Sequence, residues 1–129
     1  MTTQQESTQE KALTTRQVAN RFFELAEQGH FNQITTELFS REARSIEPAQ
    51  APFKSVDGLD QIVQKAKEWQ DMTEETHDVY CTEPIVSGNF FACTMGMDVT
   101  VQNQGRIKLD EIAIYEVKDG KIVTEQFFY

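Results

Sequence analysis

Three short turn sequences, Ser87-Gly88-Asn89, Asn103-Gln104-Gly105 and Lys118-Asp119-Gly120, punctuate the second half of the chain at nearly regular intervals. The runs around them, residues 77–86, 89–101, 106–117 and 121–129, are rich in β-branched and aromatic side chains. Glycine beside asparagine or aspartate supplies the positive φ that tight hairpins require, so consecutive hairpins and an antiparallel meander are predicted. Such a sheet has two faces. Whatever precedes it in the chain has to cover at least one of them.

The first half supplies that cover. Val18, Phe22, Leu25 and Ala26 recur at helical spacing, Thr14 or Thr15 can cap the start, and Gly29 stands where the helix stops, predicting a helix over 15–28. A second helix is expected over 32–39, with Phe31, Ile34 and Leu38 as its apolar contacts. Residues 43–47 read as a short strand closed by Pro48, and 48–52 as loop. Asp57 or Ser55 then caps a third helix, 58–70, on which Leu59, Ile62, Val63, Ala66 and Trp69 share a face. Three helices ahead of four long strands predict an α+β fold with the helices on one side of the sheet. Residues 1–12 are polar and are expected to be disordered, leaving 13–129 as one domain.

The residue inventory excludes several functions. Net charge is −9 and the twelve basic residues are scattered, which opposes nucleic-acid binding. No apolar run approaches membrane-span length and no leader pattern opens the chain, so a soluble cytoplasmic protein without membrane contact is expected. Cys81 and Cys93 are expected on opposite faces of neighbouring strands, unbonded. His30 and His77 have no partner at metal-ligand spacing, and neither a metal nor another cofactor is expected.

The order of these elements, with Arg21-Phe22-Phe23-Glu24-Leu25 and Gly29 in helix one, Glu47-Pro48 after the first strand, Gly58 opening helix three, and Asp119-Gly120-Lys121-Ile122 before Phe127-Phe128-Tyr129, resembles the nuclear transport factor 2-like superfamily of SnoaL-like and ketosteroid isomerase-like domains. That resemblance implies a cone of three helices packed on a curved antiparallel sheet, enclosing a pocket, and a homodimer. It also implies a general base at Glu47, where ketosteroid isomerases carry an aspartate ahead of a proline. Their oxyanion donors do not carry over, because the matching positions hold Phe22 and Ala113, which donate no hydrogen bond.

Strand alternation sorts the meander into faces. Ile107, Leu109, Glu111, Ala113, Tyr115 and Val117 form one set, opposite Phe91, Cys93, Met95, Met97, Val99 and Val101, with Tyr80 joining by the same counting. At the last turn two registers stay open. A type I turn with a glycine bulge turns Val123, Glu125, Phe127 and Tyr129 inward, whereas a two-residue primed turn brings in Thr124, Gln126 and Phe128; the bulge is the expected form. Candidate catalytic residues are therefore Glu47, Glu111 and Glu125, since a carboxyl removed from water has its charged form disfavoured; pairing with Arg41, Arg44 or Lys108 would explain the last two structurally. Candidate pocket walls are Phe22, Trp69, Tyr80, Met95, Met97, Tyr115, Phe127 and Tyr129, which suit a small apolar or aromatic molecule. Ile112, Ile114, Thr94 and Gly96 remain on the outer face as a dimer surface.

Overall fold

The computed structural model describes residues 12–129, so all but the last residue of the expected disordered segment lies outside it. Helix α1 spans Thr15–Glu27, α2 Phe31–Leu38 and α3 Leu59–Met72. The strands are β1 Phe39–Ile46, β2 Val56–Asp57, β3 Thr73–Cys81, β4 Ile85–Ser87, β5 Phe90–Val101, β6 Gly105–Lys118 and β7 Lys121–Phe128. Among the described residues they form one sheet of order β2-β1-β7-β6-β5-β3, with β4 on β5. None of the helices is long and apolar enough to cross a membrane.

Local chemistry explains most boundaries. Thr14 caps α1 through a reciprocal box with Gln17, and Gly29 at φ 77° ends it. The start of α3 differs from expectation: Gly58 is the cap residue, without a side-chain hydrogen bond, while Asp57 pairs with Arg44 across the β1–β2 hairpin. Val63 is 45% exposed and off the buried stripe of α3, where Lys65 takes a place between Ile62 and Trp69. Both β1 and β3 begin directly at a helix end, several residues earlier than predicted.

The sheet is a meander with one exception. β5, β6 and β7 pair antiparallel in sequence, but β1 adds to β7 in parallel. The segment expected as one strand over 77–86 is interrupted at residues 82–84. Before that break, toward the start of β3, the β3–β5 register has moved by one residue, which turns Val79, Tyr80 and Cys81 over until a second shift between Thr76 and Asp78. Tyr80 therefore stands opposite Gly96 on the outer face, with Val79 and Cys81 inside. The same shift puts Cys81 and Cys93 on one face, contrary to expectation, with their sulfurs 3.8 Å apart as free thiols.

Ring packing anchors α1 to the sheet. Phe22 meets Tyr115 at 4.7 Å and Phe91 at 5.4 Å between centroids, and Phe91 stacks on Tyr115 at 4.9 Å. All three are almost wholly buried, so removal of any one would open a cavity costing about 3–5 kcal/mol.

Candidate functional site

Beyond this packed end, α2, α3 and the inner sheet face enclose a cavity of about 480 Å³. The meander register fills it from β5 and β6: Met95 lies opposite Glu111, and Met97 opposite Leu109. β7 contributes Glu125 opposite Tyr115 and Phe127 opposite Ala113. The turn before β7 is the two-residue form, with Asp119 at φ 53° and Gly120 at φ 78°, yet Glu125 and Phe127 still face inward. A register shift opposite Glu116/Val117 takes up one residue and reverses the phase, so Ile122 is the inner residue ahead of Glu125 and Val123 is not.

Apolar side chains dominate the wall. Trp69 packs edge-on against Phe53, with centroids 4.9 Å apart, while Phe22 and Tyr115 border the cavity from the core. Tyr80 only edges it: its ring covers Gly96 on the other side of the sheet, and its hydroxyl donates to Asp110 at 2.7 Å. Tyr129, at the chain end, reaches back to donate 2.8 Å to Glu47 Oε1.

Among the described residues four charged side chains line the cavity, Glu47, Glu111, Glu125 and Lys65. Lys65 was not anticipated from sequence, although a lysine three residues after Ile62 and four before Trp69 falls on the apolar stripe of α3, and that placement is the signal. Its Nζ donates to Ser45 Oγ at 2.9 Å, Glu47 Oε2 at 2.9 Å and the Lys54 carbonyl at 3.2 Å, which uses all three of its protons. Glu47 thus has both oxygens engaged, one by Lys65 and one by Tyr129, and its side chain is 7% exposed. Arg44 and Lys108 do not supply the counter-charge: Arg44 is tied to Asp57, and Lys108 lies opposite Asp98 on the outer face.

Glu111 and Glu125 stand differently. Burial pushes Glu111 up to about 7, helped by the negative charges of Glu47 and Glu125 and opposed by Lys65. Among the described residues no hydrogen bond reaches its carboxyl. Burial also pushes Glu125 up to about 7, against the pull of a Ser45 hydrogen bond and of Lys65. Tyr115, deep in the core, is raised well above its ordinary value by burial and then by Glu125, so it stays a neutral phenol. Its hydroxyl donates to the Met95 sulfur at 3.6 Å, a weak acceptor that leaves the donor available to a better one. Two carboxyls that change protonation near neutrality, beside a neutral donor in an apolar space, can take up and return a proton. Among the described residues no three His, Cys, Asp or Glu side chains converge as one metal ion would need.

A protein from Mesorhizobium loti described as a candidate SnoaL-like polyketide cyclase is 32% identical to the chain, over 91% of this chain and 100% of that one, with a TM-score of 0.85. A Catenulispora acidiphila protein of ketosteroid isomerase-like fold, solved in complex with trimethylamine, is 19% identical over 76% of this chain and 73% of that one, TM-score 0.61. TerC, co-crystallised with polyporic acid, is 12% identical over 89% and 90%, TM-score 0.67. No curated protein matches. The SnoaL-like domain model matches residues 13–129, and with that coverage the chain belongs to the SnoaL-like domain family.

Proposed function

We propose that the chain is a cofactor-free acid–base catalyst, an isomerase, cyclase or hydrolase that holds a small, largely apolar or aromatic molecule in the cavity and moves a proton on it with Glu111. The observation that carries this reading is Glu111 itself, a carboxyl that faces the cavity, is pushed up to about 7 by burial and has no hydrogen-bond partner among the described residues. In its carboxylate form it removes a proton from an acidified C–H or O–H of the bound molecule; in its carboxyl form it returns one. Protonated Glu125 and the Tyr115 hydroxyl are the donors available to negative charge developing on the substrate. Glu47 is the structural member, holding Lys65 and the chain end. Neighbours of the same fold solved with trimethylamine and polyporic acid support the cavity as the place for a small molecule. We also propose a homodimer through the outer sheet face, supported by Ile112 and Phe128, which are paired across β6 and β7 and 49% and 45% exposed.

Proton transfer is tested directly by solvent exchange. A panel of enolisable ketones and polycyclic phenols is incubated with the protein in deuterium oxide, and loss of the acidic C–H signal is followed by proton NMR. Wild type should accelerate exchange for at least one apolar member, and Glu111→Gln should abolish the acceleration. Binding of panel members with no exchange above the buffer rate would make the domain a non-catalytic binding module.

A further inference from the structure

We infer that the molecule this cavity takes carries a positively charged nitrogen, an amine or quaternary ammonium on a small apolar body, with Glu111 as its counter-charge. This deepens the proposed function and rests on it for the location of the site.

The charge balance of the cavity comes first. Three glutamates and one lysine line it, and the lysine is already committed, its three protons given to Ser45, Glu47 and the Lys54 carbonyl. Among the described residues, an anionic ligand would meet two further carboxyls and no uncommitted cation in the lining, within a chain of net charge −9 that repels it on approach. A neutral apolar ligand would give Glu111 no counter-charge and would favour its protonated form, whereas a cation pairs with the carboxylate. A cation removes both problems.

The walls favour the same ligand. Trp69, braced by Phe53, stands with Phe127, Tyr115 and the two methionines around the space that Glu111 faces. Aromatic faces attract organic cations, and thioethers are polarisable and adapt to an alkyl shell. A substituted ammonium, weakly hydrated for its charge, exchanges water for this lining more readily than a compact metal ion does.

The inference predicts linked protonation. The groups that act on Glu111 are Glu47 at the end of β1, Glu125 on β7 and Lys65 on α3. Tyr80, Tyr115, Tyr129 and Cys93 also feel its charge, and all four are raised above their ordinary values, so they stay neutral near pH 7. Cation binding should therefore release protons from Glu111 and Glu125 and tighten as pH rises through 7.

The test uses benzyltrimethylammonium, whose charge is permanent, and neopentylbenzene, in which carbon replaces the nitrogen. Trp69 is the sole tryptophan of the chain, so its fluorescence reports occupancy of the cavity. The cation should bind about tenfold more tightly at pH 8 than at pH 6, with proton release in calorimetry, whereas the affinity of the isostere should not rise with pH. Glu111→Gln should weaken the cation about tenfold and flatten its profile while leaving the isostere unchanged. Equal affinities at pH 8, no binding of the cation, or a Glu111→Gln variant that binds it as wild type does would each overturn the inference. Deuterium exchange on neutral molecules without cation binding would sink this inference and leave the acid–base reading standing; cation binding without any exchange would do the reverse.

Discussion

Lys65 Nζ lies 2.9 Å from Glu47 Oε2 and 2.9 Å from Ser45 Oγ, so one cation fastens α3 to the end of β1 at the edge of the cavity. Both partners of this ion pair are largely out of solvent, with side chains 17% and 7% exposed. Lys65→Met would leave the Glu47 carboxylate buried with only Tyr129, and breaking such a pair costs about 3–5 kcal/mol. Urea denaturation should report that loss. The same variant should push Glu111 and Glu125 further up, because Lys65 lowers both. A loss under about 1 kcal/mol would mean that water reaches Glu47.

Stability should decline on the alkaline side of about pH 5. Glu111 and Glu125 stand at about 7 when folded against an ordinary 4.5, so the folded state binds protons more tightly than the unfolded one. A raised carboxyl pKa therefore lowers stability as pH climbs from about 4.5 to 7, and the penalty remains above that. Glu37 acts in the opposite sense at lower pH. Hydrogen bonds from Arg21 and then Gln33 hold it at about 2, so its contribution is present above 4.5 and is lost as pH falls through 2. Melting temperature should peak near pH 5, and Glu125→Gln should raise stability at pH 8 by on the order of 1 kcal/mol. A wild-type melting temperature that climbs steadily from pH 5 to 8 would show that neither glutamate is held protonated by burial.

Gly96 should resist substitution. A Cβ there would lie 2.5 Å from Tyr80 Cε1 and 2.8 Å from the Leu109 carbonyl oxygen. The Tyr80 ring can swing away, at the loss of its hydrogen bond to Asp110, but the carbonyl belongs to the β5–β6 ladder and cannot. Gly96→Ala should cost about 1–3 kcal/mol by thermal melting. A neutral result would imply that β5 and β6 separate there without penalty.

For the proposed dimer, Ile114→Glu places a charge in the middle of the outer face, opposite Ala92 and Gln126. Light scattering should then give a monomer. An unchanged dimer mass would move the interface off this face.

The turns made most of the sheet legible, and with it the most informative carboxyl. Counting through the three-residue loop before Gly105 puts Glu111 inside because β5 and β6 pair without a shift over their whole length. Where the ladder shifts, alternation fails. The break at residues 82–84 turned Tyr80 outward and brought the two cysteines together, and no residue type there announces a one-place shift. At the last hairpin the facing of Glu125 and Phe127 followed expectation, although the phase reversal occurs inside β7 and not at the turn. Glu47 lies beside the cavity as the resemblance implied. Its engagement by Lys65 and Tyr129 arises from contacts 18 and 82 residues apart in sequence, beyond what local pattern encodes.

The phase reversal in β7 also bears on how related chains can differ in length. Ile122 and Glu125 both point inward although they are three positions apart, a spacing that an unbroken strand forbids. Val123 is the supernumerary residue, and a chain lacking it would run β7 as a regular ladder with Ile122, Glu125 and Phe127 still inside. Lineages can therefore gain or lose one residue at this point without exchanging the glutamate for its neighbour Gln126. Aligning such chains by length alone would pair the inward-facing glutamate of one with the outward-facing amide of another.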